Sequence, residues 1–309
     1  MIQDYRILKT DENPHILPPD ERMQEKLSDT GDAFSVRFYE HDFDCHSREH
    51  FHWHWHDQLE LTIACSDRLL CEIGSANLTL HKGDCILINS GVLHRNMPGE
   101  SANGRCCWKS LLFGPDLIAS PDSMLYKKYV LPIVQSEREF LLFDCTDPWQ
   151  AQARTQAEHA CNIFLTEEFS SELLLKNVLL GFWILLTEHM DYFPVGGSSA
   201  KGIDRKRLRQ MIKFIWDHYQ DHICLEDIAG AAHISARSAQ RCFRKGIRMT
   251  PNEYLQKYRL QCARTLLLSD DQTILDVALA CGFESISYFD RLFRKTYLET
   301  PLHYIKRNS

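Results

Sequence analysis

No C-x-x-C pair occurs among the twelve cysteines of this 309-residue chain, and none stands beside a histidine at zinc-finger spacing. Thiolate zinc modules and dithiol redox chemistry therefore have no sequence support. Only Cys106 and Cys107 are adjacent, and Cys242, Cys262 and Cys281 sit among apolar residues, as buried free thiols of a reducing cytoplasm do. The opening MIQDYRILKTDENPHILPP lacks the apolar stretch of a secretion signal. The most apolar run, Leu173 to Leu186, is too short to span a bilayer and carries Lys176, Asn177 and Gly181, so no membrane partner is expected. There is no P-loop, no GxGxxG ahead of a helix and no GxSxG. Phosphate-cradling and nucleophile-elbow chemistry have no motif, and the chain reads as a non-enzyme with neither catalytic set nor cofactor.

What is present is a duplication. Asp227-Ile228-Ala229 matches Asp276-Val277-Ala278 at an offset of 49, and Ser235, Arg241, Phe243-Arg244-Lys245, Thr250-Pro251 and Tyr254 match Ser285, Arg291, Phe293-Arg294-Lys295, Thr300-Pro301 and Tyr304 at an offset of 50. The one-residue slip falls in a turn. Two short helices with a tight connection, repeated, predict tandem helix-turn-helix modules and point to double-stranded DNA.

Charge follows the same division. Residues 203–309 hold 18 Lys and Arg against 12 Asp and Glu, while residues 1–202 hold 17 against 30. A basic end joined to an acidic one suits a DNA reader attached to a sensor. PVGGSSAKG, residues 194–202, reads as a flexible Gly/Ser linker between the two regimes. The expected division is thus 1–192, 193–203 and 204–309.

In the first module the spacing predicts a supporting helix over Leu225 to Ala232, Ser235 as an N-cap and a second helix over Ala236 to Lys245. Ala239, Cys242 and Phe243 turn inward, and Arg237, Gln240, Arg241 and Arg244 form an outward stripe without an acidic residue. Arg pairs bidentately with guanine and Gln with adenine in the major groove. In the second module Gly282 permits the tight turn, Ser285 caps, Phe289, Leu292 and Phe293 turn inward, and Ile286, Ser287, Asp290, Arg291 and Arg294 turn outward. Arg244, Lys245, Arg294 and Lys295 suit phosphate contacts, which position without specifying sequence. A long helix, about Asn252 to Leu268, joins the modules.

ISARSAQRCFRK, MTPNEYL, RLQCARTLLL and ALACGFESISYFDRLFRK, followed by TP, resemble the AraC/XylS family of bacterial transcription regulators over Leu208 to Lys306. The resemblance implies base-reading positions at Arg237, Gln240 and Arg241 in the first module and at Ile286, Ser287 and Arg291 in the second. Family members often carry a polar residue where Ile286 stands, so the second module is expected to contribute more backbone contact. RNA polymerase and a second copy of the chain are further partners implied.

The front half shows short period-2 runs from Phe34 to Phe113, which predict a small antiparallel barrel or sandwich. Residues 150–192 switch to helical spacing, and the helix around Leu173–Leu186 leaves little polar face: one side is expected to cover the barrel and the other to meet a second subunit. In EHFHWHWHDQLEL, His52, His54, His56 and Glu60 share parity on a strand, with Trp53, Trp55, Leu59 and Leu61 on the other side. With the glycine turn and His94 of HKGDCILINSGVLH, this resembles the cupin motif pair. In cupin enzymes the positions matching His54, His56, Glu60 and His94 hold a divalent metal.

The expected fold class is α+β: an N-terminal cupin-like β-barrel with flanking helices, then an all-α tandem helix-turn-helix domain. The leading reading is a cytoplasmic, dimeric, effector-responsive activator of carbohydrate or other carbon-source genes. Its effector, a sugar or another small molecule, would bind at His54, His56, Glu60, His94 and Arg37, without a metal. A metal-binding cupin sensor or enzyme fused to a DNA reader, using the same three histidines and Glu60, is the alternative. A ligand-independent regulator whose barrel only dimerises is the third.

Overall fold

The computed structural model describes residues 36–44, 53–99, 104–144, 146–164, 170–194, 200–268 and 272–308. Phe34, His52, the polar segment 1–30 and residues 195–199 of the expected linker lie outside the described residues. The chain divides into two compact units between residues 199 and 200.

The first unit carries eight strands: β1 (Val36–Asp44), β2 (Leu59–Ala64), β3 (Leu69–Ile73), β4 (Ala76–Leu80), β5 (Cys85–Ile88), β6 (His94–Pro98), β7 (Arg105–Phe113) and β8 (Phe140–Phe143). They form a five-stranded sheet in the order β1-β7-β2-β5-β8 and a three-stranded sheet in the order β4-β3-β6, with every pair antiparallel. This is the β-rich architecture that the alternation predicts. All six residues of β2 are buried, because both faces of the strand are covered. Leu59, Leu61 and Ile63 face one core and Ala64 the other. The inner core lies between the sheets and includes Leu69, Cys71, Ile73, Leu80, Ile86, Ile88 and Trp108.

The outer core lies between the large sheet and three helices, α1 (Leu131–Val134), α2 (Pro148–Phe164) and α3 (Ser171–Glu188). Ala153, Ala157 and Ala160 recur at i, i+4 and i+7, and these small side chains let α2 approach sheet and α3 together. On α3, Leu175, Val178, Leu179, Phe182 and Leu186 turn into this core, each worth about 1.5–3 kcal/mol on full burial. Leu173, Leu180 and Ile184 stay exposed on its opposite side, as the apolar composition predicts. Trp53 and Trp55 are both buried, and the Arg95 guanidinium of β6 lies over Trp53, 5.2 Å from its ring centre. It pairs there because the His54–His94 bridge sets residue 53 beside residue 95.

The second unit is all helical: α4 (Ala200–His218), α5 (Leu225–Gly230), α6 (Ala236–Ile247), α7 (Pro251–Leu266), α8 (Ile274–Ala280), α9 (Ile286–Tyr297) and α10 (Pro301–Asn308). α4 begins inside the segment expected to be linker, with Ala200, Lys201 and Gly202 in its first turn. Its Leu208, Met211, Ile212, Ile215 and Trp216 are buried, and that packing overrides the weak helix propensity of the Gly/Ser stretch. The caps follow the sequence closely. Ser235 and Ser285 accept the backbone N–H of Ser238 and Tyr288, and Thr250 and Thr273 form capping boxes with Glu253 and Asp276.

The repeat extends to the backbone. α6 and α9 both end on a residue in the left-handed region, Arg248 at φ 54° and Leu298 at φ 60°. Such a position favours glycine, since an L side chain costs about 1–2 kcal/mol there. Leu298 is largely exposed and gives up little packing. Leu298→Gly is therefore expected to stabilise the unit by about 0.5–1 kcal/mol after the unfolded-state entropy of glycine is subtracted. A melting temperature unchanged or lowered would show that the leucine has a role the backbone conformation does not disclose.

Candidate functional site

Four residues converge inside the barrel. His54, His56, Glu60 and His94 are all buried, and one ligand-type atom from each lies within 4.8 Å of the others. These are residues that the sequence reading singled out, and a single strand does not carry them. His54 forms an isolated bridge with His94 of the small sheet, with paired backbone bonds of 2.9 Å in each direction. Glu60 belongs to β2 of the large sheet, and the chain bends at residues 57–58 between the two. The cluster thus sits where the sheets meet.

The bonds that hold the two rings in place have a fixed direction. His56 Nδ1 donates to the Gln58 carbonyl at 3.0 Å and His94 Nδ1 to the Val92 carbonyl at 2.8 Å, since a carbonyl oxygen can only accept. The opposite ring nitrogens, Nε2 of both residues, face Glu60 Oε2 at 3.1 and 2.9 Å. Glu60 Oε1 accepts the hydroxyls of Thr62 at 2.7 Å and Ser110 at 2.8 Å. Burial alone would push the Glu60 carboxyl up; when the two rings carry a second proton, the charge of His94 and the Nε2–H bonds from His56 and His94 hold it well below the usual carboxylate range. Glu60 is therefore a carboxylate with one oxygen anchored by hydroxyls and the other presented to imidazoles. The His54 ring centre lies 4.2 Å from that of His94.

Thr62 and Ser110 escape the sequence reading. Thr62 is two residues from Glu60 on the same strand, so period 2 alone marks it. Ser110 enters only through the β2–β7 register, in which it stands opposite Thr62. Arg37 does share the inner face: it pairs with Leu112, which pairs with Glu60, placing Arg37 and Glu60 two strands, roughly 10 Å, apart.

In the helical unit, Ala239, Cys242, Phe243 and Ile247 of α6 are buried and Arg237, Gln240, Arg241 and Arg244 are exposed. Among the described residues no carboxylate lies within salt-bridge distance of those three arginines. Lys245, also expected to meet phosphate, is exposed and pairs with Asp204 of α4 at 2.9 Å. On α9, Ile286, Ser287, Asp290, Arg291 and Arg294 are exposed as expected. Tyr288, not singled out by spacing, is exposed beside them, and the Arg291 guanidinium stands 5.4 Å from its ring centre. Cys242 is packed: burial pushes its thiol up to about 11, which leaves it unreactive at neutral pH.

A barrel enclosing a polar cluster, with two helix-turn-helix modules on the same chain, defines a transcription regulator with a ligand-binding and a DNA-binding domain. Residues 40–128 match the AraC-like ligand binding domain and residues 228–307 a helix-turn-helix domain. The chain is 30% identical over 254 residues to the uncharacterized HTH-type transcriptional regulator YdeC of Bacillus subtilis, covering 82% of this chain and 85% of that one. It belongs to the AraC family. Over 95 residues it is 35% identical to the HTH-type transcriptional activator RhaS of Klebsiella pneumoniae, 31% of this chain and 34% of that one. Among solved structures, ToxT of Vibrio cholerae aligns over 88% of this chain and 98% of its own at 14% identity and a TM-score of 0.45. Among the described residues no helix is long and apolar enough to cross a membrane.

Proposed function

We propose that this regulator works in the cytoplasm as a homodimer that activates genes for the use of a carbohydrate or other carbon source when a small-molecule effector enters its barrel. The observation that carries the DNA half of this reading is the α6 stripe of Arg237, Gln240, Arg241 and Arg244, exposed and, among the described residues, with no carboxylate within salt-bridge distance of its arginines. Arg237, Gln240 and Arg241 read bases, and Arg244 and Arg294 meet phosphates. Ile286, Ser287 and Arg291 lie on the matching face of α9, where Ile286 can touch only a thymine methyl. Activation, with RNA polymerase as the partner it needs, follows the relatives named activators that match over 95 residues. The carbon-source role follows the family resemblance alone.

The effector seat is the inner-face set His54, His56, Glu60, His94 and Arg37, which offers both hydrogen-bond acceptors and a cation. Dimerisation is assigned to the exposed Leu173, Leu180 and Ile184 of α3, since an apolar stripe left on the outside of a covering helix fits a second copy. The effector acts only through its differential affinity for the DNA-competent and DNA-incompetent arrangements.

A site selected from random duplex DNA by the full chain tests the reading. Arg241→Ala is expected to cost about 1–3 kcal/mol on that site and to relax the sequence preference there. Arg294→Ala is expected to weaken specific and random duplexes alike and to reduce the salt dependence by roughly one ion. Unchanged binding in both variants would reject the assignment of these faces.

A further inference from the structure

The geometry points to a resident divalent transition-metal ion in the barrel, held by His54, His56, Glu60 and His94. The inference concerns the cluster that serves as effector seat above, and it rests on that reading only in placing the ligand inside the barrel.

The tautomers carry the argument. With Nδ1 of His56 and His94 each donating to a backbone carbonyl, a neutral ring has only a lone pair to offer at Nε2. Both lone pairs converge on Glu60 Oε2, itself an acceptor, at 3.1 and 2.9 Å. Three acceptors meeting at one point need something positive between them. Two extra imidazole protons would supply it, and so would one divalent ion, with the same net charge. The ion makes better use of the site, because it also engages His54, whose ligand atom belongs to the same group within 4.8 Å. Ligands on opposite sides of an ion with bonds of ~2.0–2.2 Å stand roughly 4–4.4 Å apart, so a small contraction closes the set.

The surroundings are those of a ligand set. Metal-bound histidines donate their other N–H to a carbonyl or carboxylate, which fixes the ring, and ligating carboxylates are themselves hydrogen-bonded. Both conditions hold here: Gln58 and Val92 orient the rings, and the Thr62 and Ser110 hydroxyls hold Oε1 so that Oε2 turns inward. Three imidazoles and one carboxylate, with no thiolate in the set, suit zinc, manganese, iron(II) or nickel, and neither calcium nor magnesium. A six-coordinate ion would keep positions open for oxygen donors of an effector. Since His94 comes from the small sheet and Glu60 from the large one, the ion would also tie the sheets together.

The test uses the full chain without a polyhistidine tag. It is stripped by a chelator and titrated separately with zinc, manganese, iron(II) and nickel, with binding followed by calorimetry and by the bound metal per chain. At least one ion is expected to bind at one per chain with micromolar or tighter affinity and to raise the melting temperature. Thr62→Val should weaken that binding about 10–100-fold, and Glu60→Gln or His94→Ala should abolish it. Cobalt(II) absorption of the wild-type chain keeps the test decisive if a variant fails to fold: visible bands of a nitrogen-rich site support the inference, and a spectrum of the hydrated ion overturns it. Binding of none of the four metals, or stoichiometric binding that survives both Glu60→Gln and His94→Ala in folded protein, would also overturn it. Duplex binding is measured in parallel, so a metal-free chain that still selects a DNA site would sink the metal and leave the regulator standing.

Discussion

Replacing Gly282 with alanine is expected to lower the stability of the helical unit by about 2–5 kcal/mol, one of the largest effects of any single methyl in this chain. Gly282 turns the chain between α8 and α9 at φ +76°, and a Cβ there would stand 2.6 Å from the Tyr219 carbonyl oxygen, 2.9 Å from that of Gln220 and 2.9 Å from Arg259 Nη2. Two of these atoms are backbone and cannot swing aside. The comparison within the repeat separates space from conformation. His233 holds the equivalent place in the first turn at φ 53°, so a side chain is tolerated in the left-handed region where room exists. Thermal unfolding checks the expectation: a loss of several kcal/mol in a domain of about 100 residues lowers the melting temperature by more than 10 °C. A change of a degree or two would show that the turn can move.

Arg259→Met is the companion experiment, with an expected cost of about 2–4 kcal/mol. Arg259 projects from α7, is nearly fully buried, and donates Nε–H to the Tyr219 carbonyl and Nη2–H to the Asp221 carbonyl, both at 2.7 Å. These carbonyls follow the end of α4, where a helix leaves its last acceptors without partners. Methionine keeps the stem and removes both charge-assisted donors. Arg259→Lys should recover only part of the loss, because an ammonium lacks the planar fork that reaches two carbonyls at once. Urea unfolding with an unchanged slope and a lower midpoint is the expected record, and an unchanged midpoint would mean that water replaces the guanidinium without cost. Since Gly282 and Arg259 press on the same carbonyl, the double variant should lose less than the two single losses together.

The contrast between these residues and the caps explains what the sequence can and cannot disclose. Ser235, Thr250 and Ser285 act on backbone groups three residues away, so spacing alone identifies them, and the duplicated pattern sets Ser235 against Ser285. Arg259 acts across about 40 residues and Ser110 across 50, and no local rule reaches that far. The barrel cluster lies between these cases. Parity correctly gathers His54, His56 and Glu60, yet the bend at residues 57–58 places them on two sheets, so the right residues emerge from a geometry that is not theirs. The start of α4 fails for a related reason, since Gly and Ser report weak local preference while Leu208 and Met211 supply tertiary burial.

Tyr219–Asp221 joins three pieces of the helical unit. It follows α4, which packs on α6, receives Arg259 from α7, and backs the turn that launches α9. On the proposed reading, α6 and α9 are two jaws of a calliper whose opening is set at this joint rather than by the DNA. A promoter would then be chosen by span and helical phase as well as by bases. A site with the right letters at the wrong separation would have to bend to be held.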